Sequence, residues 1–439
     1  MKLNVKRTIL VGMAFLSICS FWQFYDNVIP LILTKTFNLG DTWTGVIMAL
    51  DNILALFMLP LFGALSDKMK MPIGRRMPFI LCGTLFSVAL LLLLNVADRT
   101  RNFVMFIAVL LLLLIAMGTY RSPAVALMPD VTPPPLRSKG NAIINLMGTL
   151  GAVYTLVMIK LLVKTPAEGQ LTNYLPLILS IVVIMVVAVA ILFATIRENK
   201  LREEMERTCR EAGVQVGEGA EDSESAGEGN GAGGKLPKEV FRSLVFILLS
   251  IFFWFTAYNA VTTAWSRYAE NVWKLTDGGY ANCLLVATLA AVVAYIPIGV
   301  ISSKIGRKKT ILGGVVMMTV CYLIAAFLPD YYSWLYIVFA VIGIGWAAIN
   351  VNSYPMVVEM ARAGDIGKYT GTYYTFSMAA QVFTPIFSGF LLEHVSYRTL
   401  FPYAVVFSVL AFITMTQVRH GDSKPAVKKS ALENFDVDD

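Results

Sequence analysis

The sequence predicts an all-α membrane protein: twelve transmembrane helices in two six-helix bundles. Three observations lead there: apolar blocks of membrane-spanning length, a one-sided placement of Lys and Arg, and a loop pattern that recurs in both halves. Of the 439 residues, 57% are hydrophobic and 15% charged, against roughly 45–50% and about 25% in soluble domains. Blocks such as Phe103–Met117 and Leu175–Ile196 carry no ionisable side chain. About 20 apolar residues cross a hydrocarbon layer as a helix.

Apolar runs between charged breaks place spans near 9–33, 43–66, 77–97, 103–128, 141–163 and 174–196. A second set follows near 242–265, 279–303, 310–328, 332–357, 369–392 and 399–417. Helices are expected because a span must satisfy its own backbone hydrogen bonds, and the blocks are far longer than barrel strands. Met1–Arg7 is basic and precedes an apolar run, but no small-residue cleavage site follows. Leu10–Leu33 exceeds a signal-peptide core, so it is read as a retained span.

Lys and Arg set the orientation. The N-terminus, the loops 67–76, 197–242 and 304–309, the pairs Arg137/Lys139 and Arg362/Lys368, and the tail together hold 27 of the 36 basic residues. The alternate junctions hold 8, and Arg121 alone lies deep within a span. Both termini are therefore expected in the cytoplasm, with the chain multi-pass in the inner (plasma) membrane. The organisation expected is an N-terminal bundle over 1–196, a central loop over 197–241, a C-terminal bundle over 242–417 and a cytoplasmic tail over 418–439. The loop begins with a charged helical stretch, Glu198–Arg210, and continues over 216–234 in Gly, Glu, Ser and Ala, a composition of flexible tethers.

The halves repeat. Gly63-Ala-Leu-Ser-Asp67-Lys68 and Gly74-Arg75-Arg76 join spans two and three; Gly299-Val-Ile-Ser-Ser303-Lys304 and Gly306-Arg307 join spans eight and nine. The fourth span ends in Arg121-Ser-Pro123 and Asp130, the tenth in Ser353-Tyr-Pro355 and Glu359.

Composition also excludes classes. The net charge of +7 sits in short loops, with no basic face that would hold nucleic acid. Five scattered cysteines and two histidines, His394 and His420, suit neither a metal site nor a disulfide framework. No nucleophile elbow or phosphate loop points to an enzyme, and no cofactor is expected.

Charged and aromatic residues inside the spans are the candidates for function. An ionised Asp at mid-membrane costs at least ~2.5 kcal/mol, so such residues face cavities or partners and often carry protons or sodium. Asp26 and Asp51 are read as coupling or substrate residues, or as structural partners. Arg121 either holds a substrate hydroxyl or pairs with Asp26, Asp51 or Asp130. Asp67, Arg75, Arg76, Asp130 and Glu359 cluster at the basic ends of spans and are read as gating residues. Asp130 and Glu359 serve there as structural partners of the arginine loops. Sugars need flat apolar faces and amide hydrogen bonds, which selects Trp22, Gln23, Tyr25, Tyr258, Asn259, Trp346, Asn350, Tyr374 and Gln381. The same residue types also glue helices together. Trp43, Trp265, Trp273 and Trp334 are assigned to interfacial belts.

The loop Gly-x-Leu-Ser-Asp67-Lys68 with Gly74-Arg75-Arg76 resembles the signature of the major facilitator superfamily. Ser66-Asp67-Lys68, five residues, Gly74-Arg75-Arg76 and then Pro78-Phe79-Ile80 is similar to the sucrose transporters of plants and their animal relatives. It is also similar to the glycoside–pentoside–hexuronide cation symporters. Arg121 through Ala126-Leu127 to Asp130, and Asp26 before Pro30, add to the likeness; Met77 and Ser303 depart from the pattern. The resemblance implies the major facilitator fold and a monomer that carries a sugar, a disaccharide or glucoside, with H+ or Na+ by alternating access. An efflux antiporter for amphipathic compounds on the same fold is the alternative, kept open by the 20 methionines. A non-transporting scaffold is disfavoured, because buried charge is costly without a pathway to serve.

Overall fold

A computed structural model describes residues 3–69, 71–167, 170–211, 237–360 and 366–422. The expected tether over 216–234 and Arg362 lie outside them. Among the described residues, twelve helices are long and apolar enough to cross a membrane, and there is no strand. The first six are Val5–Lys35, Asp41–Lys68, Met77–Arg99, Phe103–Val131, Lys139–Leu162 and Leu175–Thr195. The second six are Lys238–Asn271, Tyr280–Ile305, Arg307–Phe327, Leu335–Val358, Tyr369–His394 and Tyr397–Thr416. The chain is a multi-pass membrane protein. Phe57, Phe86, Val104, Val293 and Phe327 stand exposed on the helices, where lipid tails solvate them at no cost.

Packing divides the chain into two compact units. Unit 1 comprises Met1–Leu39, Leu50–Val216 and Leu275–Leu285; unit 2 comprises Gly40–Ala49, Gly217–Lys274 and Val286–Asp439. The start of the second span thus counts with unit 2, and the start of the eighth with unit 1. Within unit 1 the first span packs on the fifth and sixth, and the third on the fourth and sixth. Within unit 2 the seventh packs on the eleventh and twelfth, and the ninth on the tenth and twelfth. The repeat seen in the loops is therefore also a repeat of packing. Small residues make it possible, since lipid supplies no hydrophobic drive and helices must gain from close contact. A side chain at Gly151 would collide with the Leu16 carbonyl, and one at Gly314 would come within 2.6 Å of the Gly345 carbonyl.

The seventh span departs from its expected extent. It runs on to Asn271, so Arg267, taken as a loop residue, lies in the helix and is 1% exposed. Burial corrects two of the belt tryptophans. Trp265 and Trp273 are buried in an aromatic cluster, 5.6 Å apart, with Phe401 stacked 5.7 Å from Trp273 and Tyr268 edge-on to Phe401. Packing on Tyr268 and Phe401 is what buries them, and burial of these rings stabilises the polar end of the helix. Trp43 and Trp334 are exposed, as a belt requires. The helical stretch after the sixth span is present as Glu198–Glu211.

Candidate functional site

Unit 1 gathers charged and aromatic side chains from three spans. Asp26 of the first span, Asp51 of the second and Arg121 of the fourth are each half-buried. They lie within electrostatic reach of one another: Asp26 feels both Asp51 and Arg121, and Asp51 feels Arg121. The Arg121 guanidinium sits 5.8 Å from the centre of the Trp22 ring, a cation–π distance. Trp22 meets Tyr25 edge-on at 5.5 Å, and fully buried Tyr25 feels both carboxylates. Helical spacing explains the grouping, because residues 22, 25 and 26 share one face of the first span. Asn52 Nδ2 donates to Asp51 Oδ1 at 2.8 Å. Two carboxylates thus lie in the field of one guanidinium, leaving an excess of one negative charge when both are ionised. Gln23 offers its backbone carbonyl to Asn27 Nδ2, and no side-chain bond ties it to the group among the described residues.

Unit 2 contributes an aromatic and amide cluster. The rings of Tyr258 and Trp346 stack face to face, 3.8 Å apart and 4° from parallel, with Phe255 edge-on to Trp346. One residue along, Asn259 Nδ2 is buried without a hydrogen-bond partner, as is the indole nitrogen of Trp254. Unsatisfied buried donors are costly, so these two are the groups that a polar ligand would stabilise. Tyr374 stands edge-on to Tyr373 at 5.4 Å, and Tyr373 shares a hydrogen bond of 3.1 Å with Ser353. Asn350 is buried in the tenth span, and Gln381 is half-buried in the eleventh.

The expected gating residues of unit 1 form one network. Arg75 donates to Asp130 through Nε at 3.0 Å and Nη2 at 2.5 Å, and Arg76 Nε donates to the same carboxylate at 2.9 Å. Asp67 pairs with Arg76 and, at 3.9 Å, with Arg75. Arg76 and Asp130 are almost fully buried, whereas Asp67 is 39% exposed, so the pairs differ in solvent screening. Glu359 belongs to unit 2 and pairs there with Arg307.

Sequence reasoning missed the residue that completes this network. Glu198 is 1% exposed and accepts from the backbone N–H groups of Arg75, Arg76 and Met77 at 2.8–3.1 Å. The orphan donors at the start of the third span are thereby capped from a distant helix. Gly74, at φ +121°, is required: a side chain there would collide with the Glu198 carboxylate. Unit 2 repeats the device. Asp422 accepts from Lys308 N at 2.8 Å beside Gly306, whose φ is +94°. An acidic residue shortly after the last span of each bundle was the available signal. At the other end of unit 1, Thr165 N–H donates to Asp277 at 2.7 Å, which holds that exposed carboxyl below the usual range.

The sequence profile of the Major Facilitator Superfamily matches residues 10–280 and 271–435. Sucrose transport protein SUC3 of Arabidopsis thaliana is 30% identical over 138 residues, 27% of this chain and 23% of that protein. An uncharacterised MFS-type transporter of Mycobacterium tuberculosis is 28% identical over 174 residues, 39% of this chain and 25% of that protein. The matches span about a quarter of the length of these relatives. Among solved structures, the nucleoside transporter NupG superposes with a TM-score of 0.66 at 14% identity, over 95% of this chain and 100% of that one. A peptide transporter, POT, superposes with a TM-score of 0.68 at 11% identity, over 94% and 93%. At such identities the likeness concerns the fold.

Proposed function

The chain belongs to the major facilitator superfamily and is a transporter, and from that footing we propose that it carries a sugar, a disaccharide or glucoside, together with H+ or Na+. Transport is by alternating access, the membrane is the plasma membrane, both termini are cytoplasmic, and the working unit is a monomer. The observation that carries the reading is the group in unit 1: two carboxylates and one guanidinium at mid-span, beside Trp22 and Tyr25. An excess negative charge in a low-dielectric setting is neutralised by binding one cation, which is what coupling requires. Asp26 and Asp51 take the cation, and Arg121 sets how tightly each carboxylate holds it.

The solute is read from unit 2. The Tyr258–Trp346 stack offers a flat apolar face, and Asn259 offers an amide donor that lacks a partner. That combination suits a sugar ring, whose CH faces stack and whose hydroxyls accept hydrogen bonds. Asn350, Tyr374 and Gln381 supply further contacts in unit 2, and Trp22, Gln23 and Tyr25 are the solute contacts proposed for unit 1. The partial likeness to a sucrose transport protein supports the same choice. Asp67, Arg75, Arg76, Asp130 and, in unit 2, Glu359 bias the equilibrium between transport states, for which a few kcal/mol suffice.

The test is accumulation of radiolabelled sucrose, maltose and glucosides in vesicles, with and without imposed proton or sodium gradients. Concentrative uptake that collapses with the gradient, and is lost in Asp51→Asn, is expected. Gradient-driven extrusion of amphipathic dyes without sugar uptake would replace this reading with that of an efflux antiporter.

A further inference from the structure

Two buried carboxylates of unit 1 are satisfied in different ways. Asp130 is held by two arginines, whereas Asp98, near the end of the third span, has one neutral donor. Thr36 Oγ1, just past the first span, donates to Asp98 Oδ1 at 2.8 Å. Asp98 is 1% exposed, and its second oxygen, Oδ2, is buried with no hydrogen-bond partner. Three residues earlier on the same helix, Asn95 is 8% exposed, and its Oδ1 is likewise buried without a donor. Residues three apart on a helix have Cβ atoms about 5–6 Å from one another, so a single hydrogen bond can join these two side chains.

The surroundings are apolar and firmly placed. Phe37, next to Thr36, packs on Phe103 and Phe106 at 5.5 and 4.9 Å. The turn into the fourth span is pinned by Arg101 N–H on the Asp98 carbonyl and Asn102 N–H on the Ala97 carbonyl, both at 3.0 Å. Charge is sparse there. Arg99 acts on Asp98 from the same helix but is itself exposed, and Lys35 and Arg101 are exposed in the adjoining turns. The fourth and sixth spans pack on the third and carry no ionisable side chain over Phe103–Thr119 and Leu175–Thr195. Tyr174 stands buried just before the sixth. An ionised Asp98 would be costly in this setting and would leave both bare acceptors unsatisfied. One proton on Oδ2 removes the charge and gives Asn95 its donor.

We propose that Asp98 is a further proton-binding site of unit 1, its Oδ2–H donating to Asn95 Oδ1 while Thr36 donates to its Oδ1. Thr36 lies ten residues beyond Asp26 on the first span, about 15 Å at 1.5 Å per residue, so the site titrates apart from the Asp26–Asp51–Arg121 group. Its proton is resident. It neutralises a carboxyl that joins the ends of two spans, and it is not handed on to the solute. The sign of the pH effect follows from the acceptors. The neutral form is the one that fits, so the junction of the first and third spans is firm while the proton is held and loosens as rising pH removes it. The inference goes beyond the sugar reading and is independent of which solute or ion is carried.

The experiment uses the full-length protein in nanodiscs and infrared difference spectra of the parent against Asp98→Asn. Asparagine is the isostere of the neutral acid: its Oδ1 can accept from Thr36 and its Nδ2 can donate to Asn95. At neutral pH the parent should show one carbonyl band of a protonated carboxyl that Asp98→Asn lacks. Asn95→Leu should shift that band, and Asn95→Ser takes its place if the leucine variant does not fold. Raising the pH should replace the band with those of a carboxylate. Over the same interval the parent's unfolding midpoint should fall further than that of Asp98→Asn. Carboxylate bands alone at neutral pH overturn the site, and so does an Asp98→Asn variant that fails to fold. A band unmoved by either Asn95 variant overturns the shared proton, and one that NaCl removes at fixed pH replaces the proton with sodium. Loss of concentrative uptake in Asp98→Asn would put Asp98 in the coupling group and overturn its independence. Because the spectra need no solute, the expected band in a parent that takes up no sugar sinks the sugar reading alone.

Discussion

The two basic junctions, Asp67–Met77 in unit 1 and Ser303–Lys309 in unit 2, repeat the same backbone device with different side-chain chemistry. Each has a glycine at positive φ, Gly74 or Gly306, just before the first turn of a span. Each has a distant carboxylate, Glu198 or Asp422, that accepts from that first turn. Around this frame the charges differ. In unit 1, two arginines share Asp130 and also engage Asp67. In unit 2, Ser303 stands at the position of Asp67, and Arg307 pairs with Glu359. Capping the start of a span is obligatory, because unpaired N–H groups near lipid cost several kcal/mol. A buried ion network is not obligatory, since it adds little net stability. What both junctions keep therefore serves folding, and what unit 1 has in addition is available to the switching role proposed for it.

The sharpest way to break this comparison is to remove the shared acceptor. Asp130→Asn leaves two guanidinium groups, one fully buried, short of a counter-charge, and should cost about 3–5 kcal/mol. Glu359→Gln, in a partly exposed pair, should cost at most about 1 kcal/mol. Unfolding midpoints of the two variants in one detergent measure the difference; equal losses would remove the asymmetry. Next come the glycines. Gly74→Ala and Gly306→Ala each force a side chain into a strained backbone, at about 1–3 kcal/mol. Gly74→Ala should be the worse, because it also displaces Glu198, whereas the new Cβ at Gly306 stays 3.0 Å from Asp422.

Smaller effects separate the caps themselves. Glu198→Ala, which frees three N–H groups, should destabilise by about 2 kcal/mol, and Asp422→Ala, which frees one, by about 1 kcal/mol. Protease sensitivity of the 71–77 and 304–309 loops should follow the same order. The smallest effect is expected from supplying unit 2 with the acid it lacks. Ser303→Asp should change stability by less than about 1 kcal/mol, while a clear change in turnover would show that unit 2 also switches.

The twelve spans were legible because lipid leaves the chain few options: every buried N–H must be bonded within its own helix. Asp26, Asp51 and Arg121 stood out for a related reason, as charges where charge is expensive. Their convergence with Trp22 and Tyr25 followed from helical spacing and one cross-span contact. Gln23 and Gln381 looked equivalent in sequence, but neither has a side-chain bond among the described residues. Arg267 was misplaced because hydropathy ends where the apolar run ends, whereas the helix continues while Trp265 and Tyr268 still find rings to pack on. Glu198 was passed over since its partners lie 121–123 residues earlier. A contact of that reach leaves no periodic trace.

That separation has a consequence for synthesis. When the 71–77 loop leaves the ribosome, the carboxylate that caps it does not yet exist. At 5–20 residues per second, Glu198 follows Arg75 by roughly 6–25 s, after four more spans have been made. Asp422 trails Lys308 by a similar interval, 114 residues. Until then the first turn of the third or ninth span has its donors bare at the membrane surface, open to water, lipid headgroups or insertion factors. Each bundle is thus sealed by the last segment of it to be made, and a chain truncated before position 198 leaves a half whose signature loop has nothing to close it.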